Sequence, residues 1–238
     1  MENWKLRTRN LLFNKSKMHT HPHSPESPAQ TEGRLIRWVS LYDSFANIMT
    51  LGKISRLRTL TVDHALLKPG EKVLDVGCGT GGVTIPAKLR VGNTGEAVGI
   101  DPAPEMIAVA RKKAHRAGLE IDFRLGVIES LPFPENTFDV VTSSLMMHHL
   151  PEHLRVKGLA EVRRVLKPGG RLFVADMMRP GPSFLQHLGA LILHHGHGMQ
   201  FGVEDLPKLM RKAGFEEAEQ LSAHFMAIGF VRAQKHGG

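Results

Sequence analysis

The stretch from Lys72 to Gly82 constrains this chain more than any other. It reads Lys72-Val73-Leu74-Asp75-Val76-Gly77-Cys78-Gly79-Thr80-Gly81-Gly82. Val73, Leu74 and Val76 around Asp75 form a short apolar run that suits a strand buried on both faces. Four glycines follow with only Cys78 and Thr80 between them, and Val83 to Leu89 can then begin a helix, with Pro86 tolerated in its first turn. Strand, glycine turn and helix start together make a nucleotide-type cradle. Glycine permits the tight turn and a close ligand approach, and the helix start offers N–H groups without intrahelical partners.

Two cofactor classes use such a turn. Gly77, Gly79 and Gly82 fit the dinucleotide pattern G-x-G-x-x-G. Gly77, Gly79 and Gly81 equally fit G-x-G-x-G with Asp75 two residues upstream, which resembles the first motif of class I S-adenosylmethionine-dependent methyltransferases. A carboxylate repels a pyrophosphate but suits a sulfonium with an α-ammonium group. Asp75 therefore favours S-adenosylmethionine.

The sequence after this turn alternates strand and helix. Ala97 to Ile100 reads as a second strand ending in Asp101, 24 residues after Gly77 and near the ~20-residue offset of an acid that takes ribose hydroxyls. The same acid can instead cap the helix predicted over Glu105 to Ala117. Further strands are expected at Ile121 to Leu125, Phe138 to Ser144 and Arg171 to Asp176, the last after a Lys167-Pro168-Gly169-Gly170 turn. A helix over Glu152 to Leu166 separates the last two, with Leu154, Leu159, Val162 and Val165 inward. A helix over Val203 to Ala213 and two strands, Glu216 to Ser222 and Phe225 to Ala233, close the chain as an antiparallel hairpin. This order predicts an α/β fold with a doubly wound, mostly parallel sheet, whose ligands bind beyond the carboxyl ends of the strands.

The flanks differ in composition. The chain has 238 residues with 42% hydrophobic content, enough for one α/β domain and an arm. No apolar run reaches the ~20 residues of a membrane-spanning helix. Residues 1–32 read as a disordered basic leader rich in His, Pro and Ser, carrying +4 of the net +8 over its first 20 residues. A solvated tail explains that charge, while weak contact with an anionic membrane surface or organellar targeting by the leader stays open. A single tyrosine and phenylalanines confined to apolar runs argue against a nucleic-acid platform. Cys78 stands alone, which excludes an internal disulfide and a multi-cysteine metal site.

The domain is expected over 33–238, with a helical cap at 33–70 and an inserted apolar, lid-like segment at 177–202. That insertion carries Phe184, Leu185, Leu188, Leu191, Ile192 and Met199, together with His187, His194, His195 and His197. His194, His195 and His197 are too close in sequence to wrap one ion unaided, so no metal site is assigned.

Several blocks resemble one family at once. The turn, Gly99-Ile100-Asp101, Leu131-Pro132-Phe133 with Phe138-Asp139, and Arg164 to Gly170 are similar to class I methyltransferases, above all the ubiquinone/menaquinone-biosynthesis C-methyltransferase group. The resemblance implies a seven-stranded Rossmann-like sheet, S-adenosylmethionine as cofactor, a small apolar or lipid-like acceptor and a cytoplasmic enzyme. It places Asp75, Gly77, Cys78, Gly79, Thr80, Gly81 and Ser144 at the methionine part and Asp101 at the ribose. Pro102, Met106, Val127 and Ile128 fall at the adenine end, where relatives often carry an acid or amide at the position of Val127. Tyr42 matches the tyrosine of a Tyr-Asp pair near the acceptor. Among the candidate bases, His148, His149, Glu129 and the inserted histidines, His148 is chosen because it follows the end of the fourth strand. A dinucleotide-dependent oxidoreductase and a catalytically silent cofactor-binding module are the competing readings. Neither the acceptor nor the methylated atom is legible.

Overall fold

A computed structural model describes residues 31, 51–179 and 201–237. Tyr42, most of the 1–32 leader and the inserted segment from Phe184 to Met199 lie outside the described residues, and so do His187, His194, His195 and His197.

Helix α1 (Ile54–His64) precedes β1 (Lys72–Val76), α2 (Thr84–Val91), β2 (Glu96–Asp101), α3 (Pro104–Arg116), β3 (Asp122–Leu125) and β4 (Phe138–Ser144). A short 3₁₀ turn (Met147–His149), α4 (Glu152–Val165), β5 (Leu166–Met177), α5 (Leu206–Lys212), β6 (Glu217–Phe225) and β7 (Ile228–Gln234) complete the order. The strands form one seven-stranded sheet in the order β3-β2-β1-β4-β5-β7-β6. β1 to β5 pair in parallel, and β7 runs antiparallel between β5 and β6. The chain reverses its direction of strand addition between β3 and β4. Such a switch opens a crevice at the carboxyl ends of β1 and β4.

Both faces of the sheet are covered, which explains why the central strands are apolar without alternation. Leu74, Val76, Val141, Leu172, Val174 and Val231 pack on one face against α4 and α5. Val73, Val140, Phe173, Ala175 and Phe230 pack on the other, under α1 and α2. Successive residues of one strand thus enter opposite cores. Among the described residues, no helix is long and apolar enough to cross a membrane.

Two boundaries differ from the sequence reading. Lys167 to Gly170, read as a turn before the fifth strand, lies inside β5, where pairing slips between Phe138↔Leu166 and Val140↔Arg171. Gly169 adopts φ 74° there, so the turn survives as an irregularity within a strand that pairs on both sides of it. The closing hairpin turns at Met226 and Ala227 rather than between Ser222 and Phe225, so Phe225 ends β6. Met226 takes the left-handed conformation (φ 55°), a turn that its side chain does not advertise.

Candidate active site

The turn after β1 is built around a buried carboxylate. Asp75 is 2% exposed and accepts from the Thr84 hydroxyl at 2.7 Å and the Thr142 hydroxyl at 2.9 Å. It therefore links β1 to the start of α2 and to β4. Burial pushes its pKa up to about 6 against the donation of the two threonines. Both oxygens are engaged inside the protein, so Asp75 fixes the shape of the turn from beneath.

Above it, the Gly77 and Cys78 N–H groups both donate to the Ile100 carbonyl at 2.9 Å, stitching the turn to β2. Gly77 has φ 72°, and a Cβ there would come within 2.5 Å of Met146 Cγ. Conformation and space both demand glycine. The buried Cys78 thiol is held well above its ordinary pKa by burial and then by Asp75 and Asp101. A protonated thiol in that position is a packing group, not a nucleophile.

Asp101 ends β2 beside this turn. One carboxylate oxygen accepts from the Gly79 N–H and the other from the Ala103 N–H, each at 2.9 Å. Burial raises its pKa, and those two donors oppose the rise. Each carboxylate oxygen has a second lone pair, so Asp101 can still accept from a diol. It steadies the approach to α3 without capping it in the N2 or N3 sense, since Ala103 is itself the residue before the helix.

A cleft runs along these ends. It is lined by Gly77, Gly79, Asp101, Pro102, Met106, Val127, Ile128, Glu129 and Met146, among others, and by Thr31. A second cavity shares Gly77, Gly79 and Leu145 with it and adds Asp75, Cys78, Thr80, Ser144 and Arg58. The two together gather every described cofactor-site candidate except Gly81. A Cβ on Gly81 would meet Phe123 and Ala110, so Gly81 faces α3 rather than either cavity. Leu145, between the cavities, holds a left-handed φ of 55° that a leucine adopts only under constraint. Its N–H donates to the Ala175 carbonyl at 2.8 Å, tying the end of β4 to β5.

Three residues near the site carry no sequence motif. Arg58 of α1 lies against the turn, its guanidinium in the space that a Gly82 Cβ would take. The Lys113 ammonium donates to the Thr80 hydroxyl at 2.8 Å. Asp176, fully buried at the end of β5, meets His148 Nδ1 at 2.5 Å and also accepts from the Met177 N–H at 2.7 Å. An ionised Asp176 keeps the imidazole proton on Nδ1, which leaves the lone pair on Nε2. The His148 and His149 rings lie 3.9 Å apart, and it is His149 that lines the cleft. Arg155 braces their turn by donating to the Leu150 carbonyl at 2.8 Å while its guanidinium stacks on Phe201 at 3.6 Å.

Thr31, which the sequence reading assigned to the leader, donates its hydroxyl to Glu129 at 2.5 Å. Thr31 also lines the cleft. Among the described residues, no group of three His, Cys, Asp or Glu side chains is placed to hold a metal ion.

Comparison with known proteins matches a methyltransferase-domain family to residues 73–170, the glycine turn through the irregular start of β5. A ubiquinone/menaquinone biosynthesis C-methyltransferase of Escherichia fergusonii is 30% identical over 219 residues, covering 82% of this chain and 86% of the relative. The chain belongs to the class I S-adenosylmethionine-dependent methyltransferases. A demethylmenaquinone methyltransferase of Symbiobacterium thermophilum is 33% identical over 168 residues, 69% of this chain but only 66% of that relative. A solved S-adenosylmethionine-dependent methyltransferase from Aquifex aeolicus shares the fold, with TM-score 0.62 at 24% identity over 76% of this chain and 96% of that one. S-adenosylmethionine is the cofactor of this methyltransferase family, and the site suits it. Gly77 leaves room that a side chain would fill, and Asp101 offers acceptors for a neutral diol.

Proposed function

We propose that this chain transfers the methyl group of S-adenosylmethionine to a ring carbon of a reduced, quinone-type acceptor with an apolar body. The observation that carries this reading is the convergence of the glycine turn, Asp101 and the histidine turn, from which His149 lines the cleft and His148 pairs with Asp176, at the carboxyl ends of one sheet. The quinone class comes from the relatives, whose names specify C-methylation in ubiquinone and menaquinone biosynthesis and methylation of demethylmenaquinone.

Gly77, Cys78, Gly79, Thr80 and Ser144 would hold the amino-acid part of the cofactor, with the Arg58 guanidinium near its carboxylate. Asp101 would take the ribose hydroxyls, and Pro102, Met106, Val127 and Ile128 would flank the adenine. When bound, the cofactor supplies a methyl group already activated on a sulfonium, so alignment of the acceptor supplies much of the rate. The chain's remaining task is to make a ring carbon nucleophilic. His148 Nε2 would remove a ring hydroxyl proton, raising electron density on the adjacent carbon, while Asp176 balances the imidazolium that results; once the methyl has bonded there, that carbon's own hydrogen leaves to solvent as a proton and the ring oxygen takes its proton back from His148. The apolar Leu145, Met146 and Leu150 beside His149 suit a hydrocarbon ring.

The test is transfer of a labelled methyl group to a reduced demethylnaphthoquinone, with S-adenosylhomocysteine measured alongside. Ring-methylated product in equal amount is expected. Cofactor binding without transfer to any reduced quinone would overturn the acceptor class, and the absence of binding would overturn the whole reading.

A further inference from the structure

We infer that Glu129 is the residue that reads the base of the cofactor, accepting from the exocyclic amino group of adenine in place of the acid missing at Val127. This rests on the cofactor reading above. Glu129 is 9% exposed, yet it lines the cleft. One carboxylate oxygen takes the Thr31 hydroxyl at 2.5 Å, and the other, Oε2, is buried with no hydrogen-bond partner among the described residues. A buried carboxylate oxygen left unpaired is costly, and a ligand seated in this cleft can supply the missing donor.

Position identifies that donor. The sheet order puts the β1 turn, then the end of β2, then the end of β3 side by side. A ligand with its amino-acid part at the β1 turn and its diol at Asp101 carries its third portion to the loop after β3. Glu129 belongs to that loop, whose shape is fixed by the Val127↔Ser130 bridge and the Ser130 N–H donating to the Val127 carbonyl. The α-ammonium and the ribose hydroxyls belong to the other two stations, which leaves the purine amine as the N–H source. Val127 has no polar atom on its side chain, and Ile128 is 4% exposed and packs in the core. Met106 and Ala103 offer only apolar surface there. Of the loop residues that line the cleft, Glu129 is thus the one whose side chain can accept.

The experiment compares binding of S-adenosylhomocysteine with that of its hypoxanthine analogue, in which a carbonyl replaces the amino group. Calorimetry is run on the full chain as wild type, Glu129→Gln and Glu129→Ala. Wild type is expected to prefer the adenine ligand. Glu129→Ala should weaken that ligand by roughly 10- to 100-fold while leaving the analogue unchanged or tighter. Glu129→Gln, isosteric and able to donate as well as accept, should hold the adenine ligand and gain the analogue. The ratio of the two affinities is expected to fall in both variants. An unchanged ratio, whether both ligands weaken together or neither does, overturns the inference and leaves Glu129 as a partner of Thr31 only. Failure of wild type to bind S-adenosylhomocysteine overturns the cofactor reading itself, so the two failures are told apart.

Discussion

Asp75 is an acid that the fold prefers protonated. Its pKa stands near 6 in the folded protein against an ordinary value of 3.8, because burial outweighs the two threonine donors. The folded state therefore binds the proton more tightly than the unfolded chain, and stability falls as pH rises from about 4 to about 6, then levels. The separation is worth about 3 kcal/mol at most. Asp101 shifts in the same direction, while Glu71, Asp139, Glu161 and Asp205 are held low by their donors and act in the opposite sense. The difference between wild type and Asp75→Asn isolates the one group, and urea unfolding across pH 4–7 should show it decline with pH for wild type alone. Parallel curves would mean that Asp75 stays ionised throughout. His148 makes a different kind of claim. Without its imidazole, the rate of methyl transfer should fall about 10²- to 10⁴-fold with S-adenosylhomocysteine affinity intact, and Asp176→Asn should shift the pH profile of kcat. A His148→Gln variant that turned over at the wild-type rate would remove the base.

At the scale of elements, the loops that line the cleft are set by what packs behind them. α4 crosses under the loop after β3 at Gly158, where a Cβ would stand 2.8 Å from Ile128 Cγ1 and 2.9 Å from Cγ2. Alanine at this buried helical position would gain about 1 kcal/mol of helix propensity and lose about 1–3 kcal/mol to overpacking. The packing loss is expected to win, because Ile128 is core and its branched side chain has little room to give. Gly158→Ala should leave the melting temperature equal or a few degrees lower, while S-adenosylhomocysteine is expected to bind several-fold more weakly as the loop after β3 shifts. Tighter binding, or a clear rise in melting temperature, would show that the loop is not seated on this glycine. A second fastening lies opposite, where Arg171 of β5 donates through two nitrogens to Glu71 and also reaches the Ala65 and Leu66 carbonyls. That fork holds the α1–β1 connection to the sheet in a way a lysine could not.

Over the whole molecule, the sequence made legible what depends on local pattern. Apolar runs marked β1, β2 and β4, the first two beside glycines, and acids at strand ends marked Asp75 and Asp101. What it hid depends on register. Asp176 meets His148 because β5 lies beside β4, Arg58 meets Gly82 because α1 folds back over the turn, and no spacing along the chain announces either contact. The site is consequently a property of the assembled sheet, with contributions from β1, β2, β3 and β4 that only the fold brings together. A ligand spanning these ends should therefore stabilise the chain globally. At a hundred times its dissociation constant, a ligand that binds only the folded state adds about 2.7 kcal/mol. For a chain of this size, that raises the melting temperature by about 5–10 °C. S-adenosylhomocysteine is expected to produce this shift and NAD none, with Asp101→Ala losing much of it at the same concentration because two acceptors for the diol are gone. A shift with NAD and none with S-adenosylhomocysteine would return the glycine turn to the dinucleotide class. Equal shifts in wild type and Asp101→Ala would place the ligand away from the end of β2.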